Sequence, residues 1–185
     1  MKNKLIKKIC GLLGYKLIEK NLIKNNRILS EFNVLTLNKV LKNLFSKNKI
    51  NQIIQIGAND GQSFDELSYF IKKNKTNSVL VEPIVENFTK LQIHYKNLNF
   101  IKLENSAISI NDEVSKLYKV NSKYTSKYGS HISAIPSFSE KHLINHGVNK
   151  KHIITELVTP ITIKKLIAKY NIDSLDLLFV DAEGY

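Results

Sequence analysis

The spacing of apolar residues along this chain changes period several times, and each change marks an element. Leu5, Ile6, Ile9, Leu12 and Leu13 recur at helical spacing with Lys4, Lys7 and Lys8 between them. After a polar break at Asn25-Asn26, Phe32, Leu35, Leu37, Val40, Leu41, Leu44 and Phe45 repeat the helical pattern. The period then shortens: Ile53, Ile54 and Ile56 form an apolar run that breaks into Gly57-Ala58-Asn59-Asp60-Gly61. An amphipathic pattern (Phe64, Leu67, Phe70, Ile71) starts at once. Strand, glycine-rich turn and helix in that order predict the opening unit of a doubly wound α/β domain. Residues 78–81 predict a second strand that closes on Glu82-Pro83, and Pro83 stands where a following helix can begin. Residues 87–95 read as helix. Residues 100–103 read as a third strand that runs out into Glu104-Asn105-Ser106-Ala107.

The second half is less regular. Residues 116–120 predict a short extra strand, and residues 121–133, polar and without periodicity, predict a loop over the pocket. Ser137 with Glu140 three residues later has capping-box spacing for a helix with Phe138, Leu143 and Ile144 on its apolar face. Residues 153–158 are strand-like, and Thr162 leads into a helix ending near Asn171. Residues 175–180 are the most apolar segment of the chain and predict a central strand buried on both faces. That strand delivers Asp181 to the carboxyl edge of the sheet. The sequence stops at Tyr185, and a bare apolar strand there would be an aggregation liability. The expectation is therefore an incomplete sheet, truncated before its C-terminal strands.

A length of 185 residues suits one domain with a real core. The natural division is a basic N-terminal helical arm over residues 1–49 and the α/β domain over residues 50–185. Charge supports it: residues 1–50 hold 12 of the 28 basic residues and only Glu19 and Glu31 of the 16 acidic ones, so +10 of the net +12 lies there. The arm can touch an anionic membrane surface, but its short apolar stripe favours a cap on the sheet. Arg27 is the sole arginine. Arginine is the usual reader of bases and phosphates, so no nucleic-acid partner is expected. Cys10 is the single cysteine, which forbids an internal disulfide, and no Cys/His cluster has metal-ligand spacing. No apolar run approaches bilayer length, and no cleavage site follows the N-terminal stretch, so a cytoplasmic setting is the default.

The candidate chemistry sits at the strand ends. Gly57 and Gly61 permit close backbone approach, and the helix start beyond them leaves N–H groups facing the turn. Glu82, at the tip of the second strand, is positioned to accept both hydroxyls of an adenosine ribose. Small residues after the third strand, Ser106 and Ala107, would border an adenine. Asp181 should face the same cleft. No P-loop string exists, and the dinucleotide pattern lacks its second glycine, which disfavours a nicotinamide-dependent oxidoreductase. Asp60 in the turn would repel a pyrophosphate but suits a ligand with an ammonium group, which tilts the choice towards S-adenosylmethionine.

The blocks IIQIGANDGQSF, VEPIVENF, IKLENSAIS, SAIPSFSEKHLINH and DLLFVDAEGY, in this order over roughly residues 50–185, resemble the FkbM-type methyltransferase family. The resemblance implies a Rossmann-like class I methyltransferase sheet that uses S-adenosylmethionine to methylate a hydroxyl on a sugar or glycan-related metabolite. It would place Gly57, Ala58, Asn59 and Gly61, with Gln55 and Asp60 beside them, at the methionine end. Glu82, with Pro83 after it, would hold the ribose. Ser106 and Ala107 would line the adenine side, and Asp181 and Glu183 the reaction edge. Gln55 departs from the pattern, standing where such families often carry an acid. For removal of the acceptor's proton Asp181 is the first candidate, with His131 in the loop as the second. The competing reading is an inactive remnant or binding module on the same fold.

Overall fold

The computed structural model describes residues 36–63, 65–110, 113–129, 132 and 136–181. Most of the N-terminal arm, with Cys10, lies outside them, as do His131 and Glu183. The chain divides into two compact units, Met1–Lys42 and Asn43–Tyr185. The first described helix, α1 (Leu37–Lys47), begins in the first unit and ends in the second. Within the second unit Phe45 of α1 stacks on Phe70, ring centroids 5.2 Å apart.

The heart of the second unit is a four-stranded parallel sheet. In chain order it contains β1 (Gln52–Ile56), β2 (Asn77–Val81) and β3 (Ile101–Glu104), and near the end of the chain β8 (Leu177–Val180). Spatially the strands run β3-β2-β1-β8. The chain moves outward from β1 to β3 and then returns to the other side of β1, so the strand order reverses between β1 and β8. Helix α2 (Leu67–Asn74) connects β1 to β2, and α3 (Val85–Tyr95) connects β2 to β3. Right-handed crossovers put both helices on one face of the sheet. Helix α5 (Ile163–Lys169), which precedes β8, covers the other. There Leu166 packs with Ile54, Val79 and Val81, and Ile56, Ile163 and Ile167 close around them.

Two smaller pairings complete the unit. β4 (Ala107–Ile108) lies parallel to β7 (Pro160–Ile161). β5 (Ser115–Val120) and β6 (Ile153–Val158) form an antiparallel ribbon with Ser115 opposite Val158. Glu156 of β6 ties that ribbon to the main sheet's helices: one oxygen accepts the Val85 N–H at 3.0 Å and the other meets Lys119 Nζ at 2.5 Å. Helix α4 (Glu140–Asn145) packs Leu143 against Val120 and Val148 under the ribbon.

Three expectations need correction. β8 is not buried on both faces: among the described residues it pairs only with β1, and Leu178 and Val180 are 46% and 58% exposed. The segment after Asn121 is no open loop throughout. Ser122–Lys127 forms a 3₁₀ turn because the Asn121 side chain accepts the Lys123 N–H at 3.0 Å, local capping that periodicity does not register. Ser137 is not the residue that directly precedes the helix, which is Ser139. Ser137 bridges to Tyr118, its Oγ accepts the Ser139 N–H, and α4 starts later, at Glu140, leaving Ile144 41% exposed. Among the described residues no helix is long and apolar enough to cross a membrane.

Candidate active site

Parallel register brings the strand ends level. Ile56 lies opposite Val81 on one side and Val180 on the other, and Val81 lies opposite Glu104. The next residue of each strand, Gly57, Glu82, Asn105 and Asp181, therefore emerges at one edge of the sheet. Backbone bonds hold that edge together: the Gly57 and Ala58 N–H groups both donate to Val81 O at 3.0 Å, and the Asp181 N–H donates to Ile56 O at 2.9 Å. The carboxyl edge next to a reversal in strand order is where open α/β sheets bind their ligands.

Glu82 is the clamp of this edge. It is 4% exposed, and its two oxygens accept the Asn59 N–H and the Ile84 N–H, each at 2.9 Å. The carboxylate thus joins the glycine turn to the approach of α3. Burial pushes its pKa up, against the pull of those two N–H groups and the Asn87 side chain, and Glu156 adds to the rise. Asn105 fastens the same segment from the third strand, its Nδ2 donating to Glu82 O at 2.9 Å and Pro83 O at 3.1 Å. Pro83 is half-buried and stands before α3, which begins at Val85.

The turn itself is left-handed at Gly57 (φ 82°), Asn59 (φ 50°) and Gly61 (φ 76°). Ala58 is fully buried. Asp60 spends its carboxylate on the turn: Oδ1 accepts the Gln62 and Ser63 N–H groups at 2.9 and 2.6 Å, and Oδ2 accepts the Ser63 hydroxyl at 2.7 Å. Burial alone would raise its pKa, but the Ser63 and Gln62 bonds, helped by Lys90, hold it below the usual value. Gly61 is demanded by packing. A Cβ there would lie 2.6 Å from a Tyr95 ring carbon and 2.9 Å from Leu91 Cδ1.

Ser106 and Ala107 lie just beyond the end of β3. The Ser106 hydroxyl donates to Glu104 at 2.7 Å, and Ala107 is 3% exposed in β4. Glu104 also takes Lys169 Nζ at 2.6 Å and the Tyr170 hydroxyl at 2.8 Å. Its burial is outweighed by these partners, Lys169 first, and its pKa falls. A cavity of about 380 Å³ opens beside Asn59, Asp60, Ile84, Asn87, Lys90 and Lys119, between the glycine turn, α3 and the β5–β6 ribbon.

One residue outside the sequence expectations belongs to this edge. Asp65 precedes α2, and its Oδ1 accepts the Leu67 and Ser68 N–H groups, both at 3.0 Å. Burial raises its pKa against those bonds and the nearby Gln55 amide, and the charge on Asp181 raises it further. A capping acid directly ahead of Leu67 and Ser68 was the signal available for it. Gln55, 2% exposed on β1, lies close by. Among the described residues no group of three or more His, Cys, Asp or Glu side chains could hold a metal ion.

A family model, the methyltransferase FkbM domain, matches residues 55–185. The chain belongs to the FkbM methyltransferase-domain family. The match covers well over half of the sequence and runs from Gln55 through Gly57, Glu82 and Asn105 to Asp181, so the level strand ends are those of an FkbM domain. Comparison with curated proteins and with solved structures gives no match.

Proposed function

We propose that this FkbM domain is an S-adenosylmethionine-dependent O-methyltransferase whose acceptor is a hydroxyl on a sugar or a related glycan building block. The observation that carries the reading is the shared edge on which Gly57, Glu82 and Asp181 emerge, tied together through the Asn59–Glu82 contact. The residues present fit the cofactor's chemistry. Glu82, Asp65 and Asp181 make the edge acidic, which repels a phosphate group and suits a cationic ligand with a ribose. The Glu82 carboxylate accepts two backbone N–H groups and the Asn87 side chain, which leaves one lone-pair site for a ribose hydroxyl. The cavity lined by Asn59, Ile84 and Asn87, three residues that hydrogen-bond the Glu82 carboxylate, has room for a nucleoside.

S-adenosylmethionine, when bound, supplies an electrophilic methyl group on a sulfonium. The chain's part is to position the acceptor and manage its proton. Asp181, held to the sheet by its own N–H on Ile56, is the residue proposed to orient the hydroxyl and take up its proton. The Glu82 clamp keeps the turn in the conformation that leaves Gly57 open to the ligand. Calorimetric titration with S-adenosylmethionine should give saturable binding that Gly57→Arg abolishes, and radiolabelled methyl should pass to sugar hydroxyls. Absence of binding to the intact protein would overturn the proposal.

A further inference from the structure

We propose that a lysine patch on the turns beside the β5–β6 ribbon is a docking surface for an acidic glycan, a saccharide chain that bears carboxylate or phosphate groups. The identity of the partner rests on the proposed function, which makes a glycan hydroxyl the acceptor; the patch itself stands on charge and geometry. Residues 121–128 and 136–152 hold Lys123, Lys127, Lys141, Lys150 and Lys151 against Glu140 alone. The rest of residues 51–185 holds 11 basic and 13 acidic side chains. The excess is therefore local and does not follow from a lysine-rich composition.

The fold gathers these lysines on one frame. The Asn121 N–H donates to His152 O at 2.8 Å, which holds the 3₁₀ turn Ser122–Lys127 against a second one, Lys150–His152. The Tyr124 ring stacks on His152 with centroids 3.9 Å apart, and Lys127 Nζ lies 5.2 Å from the Tyr124 centroid. The Tyr128 hydroxyl accepts the Asn149 N–H at 3.0 Å and meets His152 Nδ1 at 2.6 Å. Lys150 Nζ reaches Glu140 at 3.1 Å and so joins the start of α4 to the second turn. Glu140 answers one charge of the five. Among the described residues Lys123, Lys127, Lys141 and Lys151 meet no carboxylate, and all four are exposed. Like charges on a fixed frame repel one another, and a polyanion relieves that repulsion without the cost of ordering the backbone beneath it.

Three observations choose the partner. The described residues include no arginine, the usual bidentate reader of nucleic-acid phosphates and bases. A membrane-binding face inserts apolar side chains beside its charges, and the two turns offer only Tyr124, whose ring is stacked on His152. The turn that carries Lys123 and Lys127 also lines the cavity with Ser122 and Thr125. A saccharide chain lying on the lysines therefore reaches the rim of the cavity proposed to receive the nucleoside. Lysine, a point charge on a flexible stem, suits anions spaced along such a chain.

Three saccharides test the assignment: a carboxylated chain (oligogalacturonate), a phosphorylated one (a phosphomannan oligosaccharide) and a neutral maltooligosaccharide. Each is titrated calorimetrically into the intact protein at low salt. Two triple variants change the net charge equally. One carries Lys123→Glu, Lys127→Glu and Lys151→Glu in the patch; the other carries Lys73→Glu, Lys96→Glu and Lys102→Glu, exposed lysines elsewhere on the same unit. The patch variant should bind the better of the two acidic chains about 10- to 100-fold more weakly, and the control variant less than about threefold more weakly. The single patch substitutions, each expected to lose about two- to fivefold, carry the test should the triple variant fail to fold. No binding of either acidic chain by wild type overturns the proposal, as does equal affinity for the neutral one. Equal losses in the two triple variants overturn it too, since the basic N-terminal segment is then the binder. A patch-dependent loss larger for a DNA duplex or for phosphatidylglycerol vesicles than for the acidic chains reassigns the surface and overturns the glycan. Titration with S-adenosylhomocysteine keeps the two readings apart: its failure to bind wild type overturns the proposed function, while the saccharide titrations contain no cofactor and decide the patch on their own.

Discussion

Gly61→Ala tests the packing of the glycine turn, and Gly147→Ala provides its control. Both glycines are left-handed, at φ 76° and 85°. A Cβ at Gly147 would meet nothing within 4 Å, so that substitution carries only the backbone penalty, about 1–2 kcal/mol. At Gly61 the same atom would lie 2.6 Å from Tyr95 Cε2, 2.9 Å from Leu91 Cδ1 and 3.2 Å from His94 Cδ2. The ring cannot swing aside cheaply, because the Tyr95 hydroxyl donates to Ser68 Oγ at 2.7 Å. Burial pushes that phenol's pKa up to about 12, so the bond persists across the accessible pH range. Overpacking of this kind adds about 1–3 kcal/mol, giving about 2–5 kcal/mol in all for Gly61→Ala. For a domain of this size that is a fall in melting temperature of roughly 4–20 °C, against roughly 2–8 °C for Gly147→Ala. Thermal unfolding followed by far-UV circular dichroism reads both. Equal losses in the two variants would refute the claim that α3 packs onto the turn.

Other perturbations probe the remaining contacts. Glu82→Gln leaves one backbone N–H facing an amide instead of an oxygen and should cost about 1–3 kcal/mol in denaturant unfolding. Its pH dependence has a definite sign. Burial raises the Glu82 pKa above 4.5, so its contribution is full below the unfolded-state value and declines as pH rises through the folded one. The stability gap between wild type and Glu82→Gln should therefore narrow as pH rises above 4.5, and a constant or widening gap would count against a buried, clamped carboxylate. Glu104→Ala strands the Ser106 hydroxyl, while the Tyr170 hydroxyl keeps Leu103 O at 3.0 Å, and should cost about 1–3 kcal/mol. Lys169→Ala, whose side chain is 53% exposed, should cost under about 1 kcal/mol. Asp181→Asn should slow methyl transfer about 10²- to 10⁴-fold, measured at saturating donor.

Much of the sheet was legible because its signals are local. The Ile53-Ile54 run, the glycine turn and the apolar spacing of α2 identify β1 and its crossover within twenty-odd residues. Level strand ends then follow from parallel register. What was not legible depends on partners far away in sequence. The exposure of Leu178 and Val180 reflects what lies beside β8, which composition does not encode. Ser137 carries a capping pattern, yet its backbone pairs with Tyr118, nineteen positions earlier. The contrast between Asp60 and Asp65 is the most instructive case. One acid lies in the turn and the other just after it, and only the three-dimensional bonding shows Asp60 consumed by Ser63 and Gln62 while Asp65 keeps an oxygen in reserve.

The convergence of separate strand tips on one adenosyl ligand is tested most directly by mapping backbone amide chemical shifts during titration with S-adenosylhomocysteine. The account predicts saturable shifts concentrated at Gly57, Asn59, Gly61, Glu82, Asn105 and Asp181, with the α4 region unchanged. Shifts confined to one strand end, or spread over residues distant from that edge, would contradict it.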